Sequence, residues 1–218
     1  MLHKIGVIFD MDGVLADTGP IHFESWLKMA NEIGYEFTKK FFDETFGQQS
    51  IPITRKLVGN NVDQELVENW ANLKEEYYRE MVRDKIKALP GVIDLLKNLK
   101  KNGIKLALGS SGPQENVELL LNVLNIKSFF NAVITASHVK HGKPAPEVFL
   151  TAAKKLKVKP KNCIVIEDAP VGIKAAKKAG MRVIALTTTH NKKELTGADL
   201  IVNDLNHLNL DDLILLLD

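Results

Sequence analysis

The sequence of 218 residues predicts an α/β protein with a doubly wound, Rossmann-like parallel sheet and an inserted all-helical cap domain. Short apolar runs of strand length recur along the chain, and helical patterns alternate with them. Residues 17–85 interrupt this alternation, because they contain helical patterns but no convincing buried strand. These three observations together indicate a sheet-forming core and an insertion that follows its first strand.

The predicted strands are continuous apolar runs, which are typical of strands buried on both faces of a parallel sheet. The first run spans residues 5–9 and ends at Asp10. The later runs of the same kind lie at 104–108, 132–135, 163–166, 182–186 and 200–202.

Helical patterns separate these runs. Gly103 and Gly180 stand where a left-handed residue would end the first and the last of the four internal patterns. The apolar tail at 213–217 predicts a final helix that faces the core. The four internal patterns lie at 90–101, 113–124, 145–156 and 171–179.

The insertion contains two clear helical patterns, at 22–33 and 63–82. It divides the chain into a core domain of residues 1–16 and 86–218 and a cap domain of residues 17–85. A segment inserted directly after the first strand would lie over the carboxyl ends of the strands, where open α/β sheets bind ligands. The sequence therefore predicts a helical lid above a ligand site.

The composition is that of an ordinary globular protein, with 45% hydrophobic and 26% charged residues. Its 29 basic and 27 acidic residues leave a formal net charge of +2, which gives no electrostatic reason to expect a nucleic-acid or membrane partner. No apolar stretch approaches the roughly 18 residues needed to cross a bilayer. The single cysteine, Cys163, excludes an intrachain disulfide, and its apolar surroundings predict a buried structural thiol. We expect a cytoplasmic protein.

Two carboxylates follow the first predicted strand at once. Asp10 and Asp12 are two residues apart, so in extended backbone their side chains would face the same side, and Gly13 follows them. Two neighbouring carboxylates are costly to ionise without a cation, which predicts a metal ion or a shared proton. The alternative is a turn in which aspartate and glycine only supply the turn conformation.

Three further sites carry residues suited to phosphate chemistry. Ser110 lies in a small hydroxyl-rich loop that can offer a hydroxyl and backbone N–H groups to an anion. Lys143 precedes a predicted helix, and Glu167 and Asp168 follow the apolar run at 163–166. Taken singly, the serine and the aspartate could be helix caps and the lysine a solvated side chain. Their recurrence at successive strand ends favours a single site.

Together these motifs resemble those of the haloacid dehalogenase superfamily, in the branch with a helical cap that includes β-phosphoglucomutase and many sugar-phosphate phosphatases. The resemblance covers essentially the whole chain, and Gly172 and Gly180 also fall where the family pattern has glycines. The four matching motifs are Asp10-Met11-Asp12-Gly13-Val14, Ser110, Lys143-Pro144-Ala145-Pro146 and Glu167-Asp168.

The resemblance implies a magnesium-dependent phosphatase whose partner is a small phosphorylated metabolite, with sugar phosphates foremost. Asp10 would be the nucleophile that becomes an aspartyl phosphate, and Asp12 the general acid and then the general base. Ser110 and Lys143 would hold the phosphoryl oxygens. The residues implied for the Mg²⁺ site are Asp10, the backbone carbonyl of Asp12, Asp168 and, nearby, Glu167. We expect a monomer or a weak homodimer.

Substrate contacts are expected from the loop after Ser110 and from the cap. Trp26 could instead be a residue of the cap's own core. His22 could instead be a polar side chain whose hydrogen bonds are made within the protein. The residues expected to contact substrate are Ser111, Gly112, His22, Trp26, Gln48, Gln49 and Arg55.

Two other functions remain open. A phosphomutase is the nearer one, because Val14, Asp17-Thr18, His22 and Trp26 resemble the β-phosphoglucomutase pattern. Pro113 and Gln114 depart from it where that pattern has a lysine and an asparagine, and the loop that ends at Ser50 lacks its arginine, so the cations for a second phosphate are missing. A phospho-receiver signalling domain is the more distant one. Receivers carry their aspartate on a middle strand and have no cap, so the first-strand motif argues against that class.

Overall fold

The protein is described by a computed structural model that covers residues 4–82, 86–206 and 208–217. Its centre is one six-stranded sheet in the order 3-2-1-4-5-6, with every neighbouring pair parallel. This confirms the predicted doubly wound architecture. The strands are β1 (Gly6–Phe9), β2 (Lys105–Gly109), β3 (Ala132–Ile134), β4 (Cys163–Glu167), β5 (Arg182–Leu186) and β6 (Leu200–Val202).

The α-helices of the described residues fall into two groups, four in the insertion and five around the sheet. Those of the insertion are α1 (Gly19–Glu32), α2 (Lys39–Thr45), α3 (Ser50–Val58) and α4 (Gln64–Val82). Those around the sheet are α5 (Val92–Lys101), α6 (Gln114–Val123), α7 (Glu147–Leu156), α8 (Pro170–Lys178) and α9 (Leu210–Leu217).

Strand β1 separates two apolar layers, as a central parallel strand should. Val7 and Phe9 belong to the layer that contains Leu96 of α5, whereas Ile8 points into the opposite layer with Phe149 of α7. All five side chains are fully buried, and each such burial stabilises the fold by roughly 1.5–3 kcal/mol. The two layers fix β1 at the middle of the sheet.

Strands β2 and β4 each run one residue beyond the predicted apolar run. Gly109 pairs with Ile134, and Glu167 pairs with Ala185. Backbone pairing does not depend on side-chain polarity, so the hydrogen-bonded ladder continues past the apolar residues to Gly109 and Glu167. Glu167 is therefore held on the sheet itself.

Helix α5 begins two residues later than the pattern at 90–101 predicted. Gly91 has a left-handed φ of 83°, and a Cβ there would lie 2.3 Å from the backbone carbon of Leu205. A residue with a side chain fits neither that conformation nor that approach. Gly91 thus ends the linker from the insertion and sets the first turn of α5.

The insertion packs around an aromatic centre. Trp26 stacks on Phe37 with ring centroids 5.6 Å apart, and Phe42 of α2 and Ile53 of α3 close the same cluster. Helices α2 and α3, of 7 and 9 residues, were not predicted, because each buries too few residues to give a clear period. No helix among the described residues is long and apolar enough to span a membrane.

The two connections between core and insertion run side by side. Leu89 donates its backbone N–H to the carbonyl of Leu15 at 3.0 Å, and Ala16 pairs with Ala88 in an antiparallel bridge. The chain therefore leaves and re-enters the core at one place. The predicted cap boundary at residue 85 lies outside the described residues.

Candidate active site

The site lies at the carboxyl edge of the sheet, where β1 and β4 end side by side. Asp10 directly follows β1, and its backbone N–H donates to the carbonyl of Ile166 at 2.9 Å. The Lys143 ammonium donates to Asp10 Oδ1 at 2.7 Å and to Glu167 Oε1 at 2.6 Å. All three charged side chains are buried. Residues distant in sequence thus meet in one ion-paired cluster.

Three carboxylates in this cluster could hold a metal ion together. Asp10, Glu167 and Asp168 each offer an oxygen, and these oxygens lie within 4.8 Å of one another. Burial raises the pKa of Asp10 to about 7, and the nearby Glu167 and Asp12 add to that rise while Lys143 opposes it. Burial, Glu167 and Asp10 raise the pKa of Asp168 well above its usual range. A buried, oxygen-only donor set with excess negative charge fits Mg²⁺.

Two glycines make room for these acids. A Cβ on Gly13 would lie 1.9 Å from Asp168 Oδ2, and one on Gly172 would lie 1.6 Å from Glu167 Oε1. The other Glu167 oxygen accepts the backbone N–H groups of Asp168 and Ala169, each at 2.9 Å. Glu167 therefore packs between these backbone donors and Gly172, and Asp168 packs against Gly13.

The loop after β2 supplies the neutral polar side of the site. Ser110 is buried, its N–H donates to the Ile134 carbonyl at 3.0 Å, and its hydroxyl accepts the Gly112 N–H at 3.0 Å. The hydroxyl oxygen of Ser111 is buried and has no hydrogen-bond partner among the described residues. Such a group is a candidate to bind something that the free protein lacks.

Asp12 is held by residues of the insertion. Thr18 donates to Asp12 Oδ1 at 2.6 Å, and His22 Nε2 lies 3.2 Å from the same oxygen. Burial alone would raise the pKa of Asp12, but His22, Thr18 and the more distant Lys74 outweigh burial and hold that pKa below its usual range. Asp12 is thus kept ionised in this arrangement.

His22 continues into a buried polar network that the sequence reasoning missed. Its Nδ1 lies 2.8 Å from the Lys74 ammonium, which is 3.0 Å from Glu75 Oε1. An ammonium can only donate, so Nδ1 accepts, and the proton on Nε2 is donated to Asp12. Asn116 of α6 donates to Glu75 Oε2 at 2.6 Å. The network joins the insertion to the core.

A sequence signal for Lys74 does exist. Val67, Ala71, Tyr78 and Val82 form the buried stripe of α4, and Lys74 falls three residues after Ala71 and four before Tyr78. A charged residue on an apolar helix stripe must find a partner. Reading α4 by its period would have marked this position.

Most of the expected substrate contacts border one cavity between core and insertion. These are Ser111, Gly112, His22, Trp26 and Gln48. Gln49 lies beside it, in an adjoining crevice that includes Pro113 and Ser137, and packs against Gly142.

The structure places Arg55 elsewhere. Its guanidinium donates to the carbonyls of Gly59 and Val62, at 3.1 and 2.6 Å, and to Gln64 at 2.7 Å. Arg55 therefore ties the end of α3 to the start of α4 and does not line the cavity. Basic side chains near a helix C-terminus commonly bind its free carbonyls, which is the physical reason for this placement.

The cavity is small in this arrangement. The space that water can occupy is about 40 Å³, enough for a few water molecules.

Comparison with known proteins identifies the class. The chain is 34% identical over 184 residues to the phosphorylated carbohydrates phosphatase of Thermotoga maritima, covering 82% of each chain. It is 34% identical over 179 residues to the fructose-1-phosphate phosphatase of Escherichia coli, covering 82% of this chain and 94% of that one. The crystal structure of β-phosphoglucomutase from Clostridium difficile superposes with a TM-score of 0.90 at 32% identity, covering 100% and 97%.

The fold and these relatives define a phosphatase-class enzyme. Residues 7–186 match the sequence model of the haloacid dehalogenase-like hydrolases, and the chain belongs to that family. The resemblance drawn from the four sequence motifs is confirmed. The receiver-domain alternative is excluded, because the chain is a member of this hydrolase family.

Proposed function

We propose that the protein is a magnesium-dependent phosphatase that hydrolyses small phosphorylated metabolites, sugar phosphates foremost, through an aspartyl phosphate on Asp10. The observation that carries the proposal is the surrounding of Asp10: Lys143 at 2.7 Å, a carboxylate cluster with Asp168, and Asp12 two residues away. Phosphoryl transfer needs mainly positioning and charge neutralisation, and these groups supply both.

The proposed reaction has two steps. Asp10 attacks phosphorus, the bond from phosphorus to the leaving oxygen breaks, and Asp12, which must be in its protonated form at this step, gives its proton to that oxygen. Asp12 then takes a proton from water, which attacks the aspartyl phosphate and releases phosphate and free Asp10. The hydrogen bonds from Thr18 and His22 keep Asp12 ionised here, which fits the second step.

In the proposal, Mg²⁺ is held by Asp10 and Asp168 and by the backbone carbonyl of Asp12, with Glu167 nearby. The bound ion would neutralise the carboxylates and the phosphate as they approach each other. Lys143 adds a fixed positive charge on the phosphoryl side, and Ser110 offers its hydroxyl. The buried contacts among Asp10, Lys143 and Glu167 support these roles.

The test is a phosphate-release screen with and without Mg²⁺ over sugar phosphates, phosphoglycolate and nucleotides. We expect metal-dependent turnover that is fastest with sugar monophosphates. Turnover that is unaffected by EDTA, or that is confined to nucleotides, would contradict the proposal.

A phosphomutase is the second candidate, supported by the similarity to the Clostridium difficile β-phosphoglucomutase. A coupled assay that converts β-glucose 1-phosphate to glucose 6-phosphate separates the two. Isomerisation that outpaces phosphate release would favour the mutase.

The insertion, residues 17–85, is proposed to act as a cap that opens to admit substrate. The cavity of about 40 Å³ supports this, because it is too small for a sugar phosphate as it stands. Three expectations remain predictions. They are the absence of nucleic-acid and membrane partners, the monomeric or weakly dimeric state, and the cytoplasmic location.

A further inference from the structure

The end of the cavity that the insertion forms carries a buried charge pair, Lys74 and Glu75. Among the described residues that line the cavity, the one lysine is Lys74, and none is an arginine. Lys74 is 1% exposed and Glu75 6% exposed, so neither is screened by bulk water. A substrate that reaches this end meets both charges at close range.

Lys74 is fully engaged. Its ammonium lies 3.0 Å from Glu75 Oε1 and 2.8 Å from His22 Nδ1, and it also stands over the Trp26 ring at 5.1 Å from the centroid. Its positive charge is therefore balanced within the protein. Among the described residues that line this end of the cavity, no lysine or arginine is left unpaired to bind an anion.

Glu75 is held as a fixed anion. The Ser50 hydroxyl and Lys74 donate to Oε1, and Asn116 donates to Oε2 at 2.6 Å. Glu75 also borders both the cavity and the adjoining crevice. A substrate whose phosphate is held at Asp10 would extend into the cavity that Glu75 lines.

The other groups at this end are neutral hydrogen-bonding groups. Gln48 and Ser50 of the insertion line the cavity, and on the core side the Ser111 hydroxyl is buried without a partner among the described residues. Amides and hydroxyls suit the hydroxyls of a sugar or polyol and do not neutralise a charge.

We propose that Glu75 is a specificity-determining residue: by balancing Lys74 it reserves this end of the site for neutral, hydroxyl-rich groups and rejects substrates that carry a second phosphate. The inference rests on the proposed function, which it makes more specific. A second phosphate would find no free cation there among the described residues, because the charge of Lys74 is already paired with that of Glu75.

The test compares fructose 1-phosphate with fructose 1,6-bisphosphate in Mg²⁺, using wild type, Glu75→Gln and Glu76→Gln. Glu76 is the matched control, since it is the next residue on α4, carries the same charge and is exposed. Wild type should favour the monophosphate in kcat/KM by about tenfold or more. Glu75→Gln should reduce that preference by about tenfold, and Glu76→Gln should leave it unchanged.

The ratio of the two kcat/KM values is the decisive readout. If Glu75 only supported the fold, Glu75→Gln would slow both substrates alike and leave the ratio unchanged, which would overturn the inference. An equal shift in Glu76→Gln would overturn it too, because the effect would then reflect net charge. Glu75→Asp keeps the charge and should keep the preference.

A binding measurement separates this inference from the proposed function. In the Asp10→Asn variant with Mg²⁺, the two sugars are titrated by calorimetry, which needs no turnover. Weaker binding of the bisphosphate supports the inference, and binding as tight as that of the monophosphate overturns it. Absence of phosphate release from every sugar phosphate by wild type would instead contradict the proposed function alone.

Discussion

Asp10 lies beside Lys143 and the carboxylates of Glu167 and Asp168. In the proposed reaction, its own charged carboxylate is the nucleophile. Replacement by asparagine keeps the shape but removes the nucleophilic oxygen. We expect Asp10→Asn to lower phosphate release by about ten-thousandfold or more while the fold stays intact. Phosphate release and far-UV circular dichroism are the measurements.

Asp199→Asn serves as a control for the loss of a carboxylate. Asp199 accepts hydrogen bonds from Lys177 and Arg182 at the far end of β5, outside the site. It should change turnover less than about twofold, because it touches no reacting group. An Asp10→Asn enzyme with near-normal turnover would refute the nucleophile assignment.

Cys163 is the single cysteine of the chain, and it is fully buried. Burial raises the pKa of its thiol to about 12, so almost no thiolate forms at neutral pH. We expect no reaction of the native protein with a disulfide reagent at mildly alkaline pH, and release of one equivalent of thiolate product after unfolding in guanidinium chloride. Rapid labelling of the native protein would contradict a structural role.

At the residue scale, the sequence was sufficient to predict that side chains following strands lie at the site. It was insufficient to predict which side chains on helices do. Asp10 and Asp168 follow buried strands, and such positions meet at one edge in any parallel sheet. Lys74 and Glu75 lie within a helix with many charged residues, where exposure is the usual expectation. The period of α4 places Lys74 on the buried stripe. The partners of Lys74 and Glu75 depend on how α4 packs against α1 and α6, which the chain's local pattern does not specify.

At the scale of elements, Gly91 is a position where an added side chain would meet the backbone of another segment. Its left-handed φ of 83° and the 2.3 Å approach to the Leu205 backbone would both have to change in Gly91→Ala. We expect the free energy of unfolding to fall by roughly 2–4 kcal/mol, measured by urea denaturation.

Gly180→Ala separates the two causes. Gly180 has a φ of 73°, but nothing lies within 4 Å of the position of its Cβ, so only the backbone conformation is strained. The cost there should be about 1 kcal/mol. Equal losses in the two variants would show that the contact with Leu205 can relax freely.

Element length decided what could be predicted about the secondary structure. The six strands were found because each is a continuous apolar run, and α1 and α4 because 14 and 19 residues give several turns of period. Helices α2 and α3 are held by the aromatic cluster around Phe37 rather than by their own pattern. Tertiary contacts therefore define them.

At the scale of the whole molecule, the acidic cluster links stability to metal and pH. Because burial raises the pKa values of Asp10 and Asp168, the metal-free folded state binds more protons than the unfolded state between the unfolded and folded pKa values. Its stability from this cluster therefore falls as pH rises towards and past about 7. Mg²⁺ should offset that loss.

We expect Mg²⁺ at about 100 times its Kd to stabilise the protein by about 2.7 kcal/mol, a rise in Tm of roughly 5–10 °C. At one fixed Mg²⁺ concentration the rise should be larger at about pH 8 than at about pH 6, because protons compete with the ion for Asp10 and Asp168 and raise its Kd. Thermal denaturation with and without EDTA measures it. Asp168→Asn should abolish most of the rise, and an equal rise in that variant would contradict the assigned site.

The paired connections at Leu15 with Leu89 and at Ala16 with Ala88 bear on how such a molecule can change over time. A segment whose two ends adjoin can be lengthened, shortened or exchanged for another without moving any strand of the sheet. Related enzymes could therefore keep the reactive residues of the core and acquire new substrates by replacing the insertion alone. The residues that carry the chemistry and those that choose the molecule it acts on are thereby free to evolve at different rates.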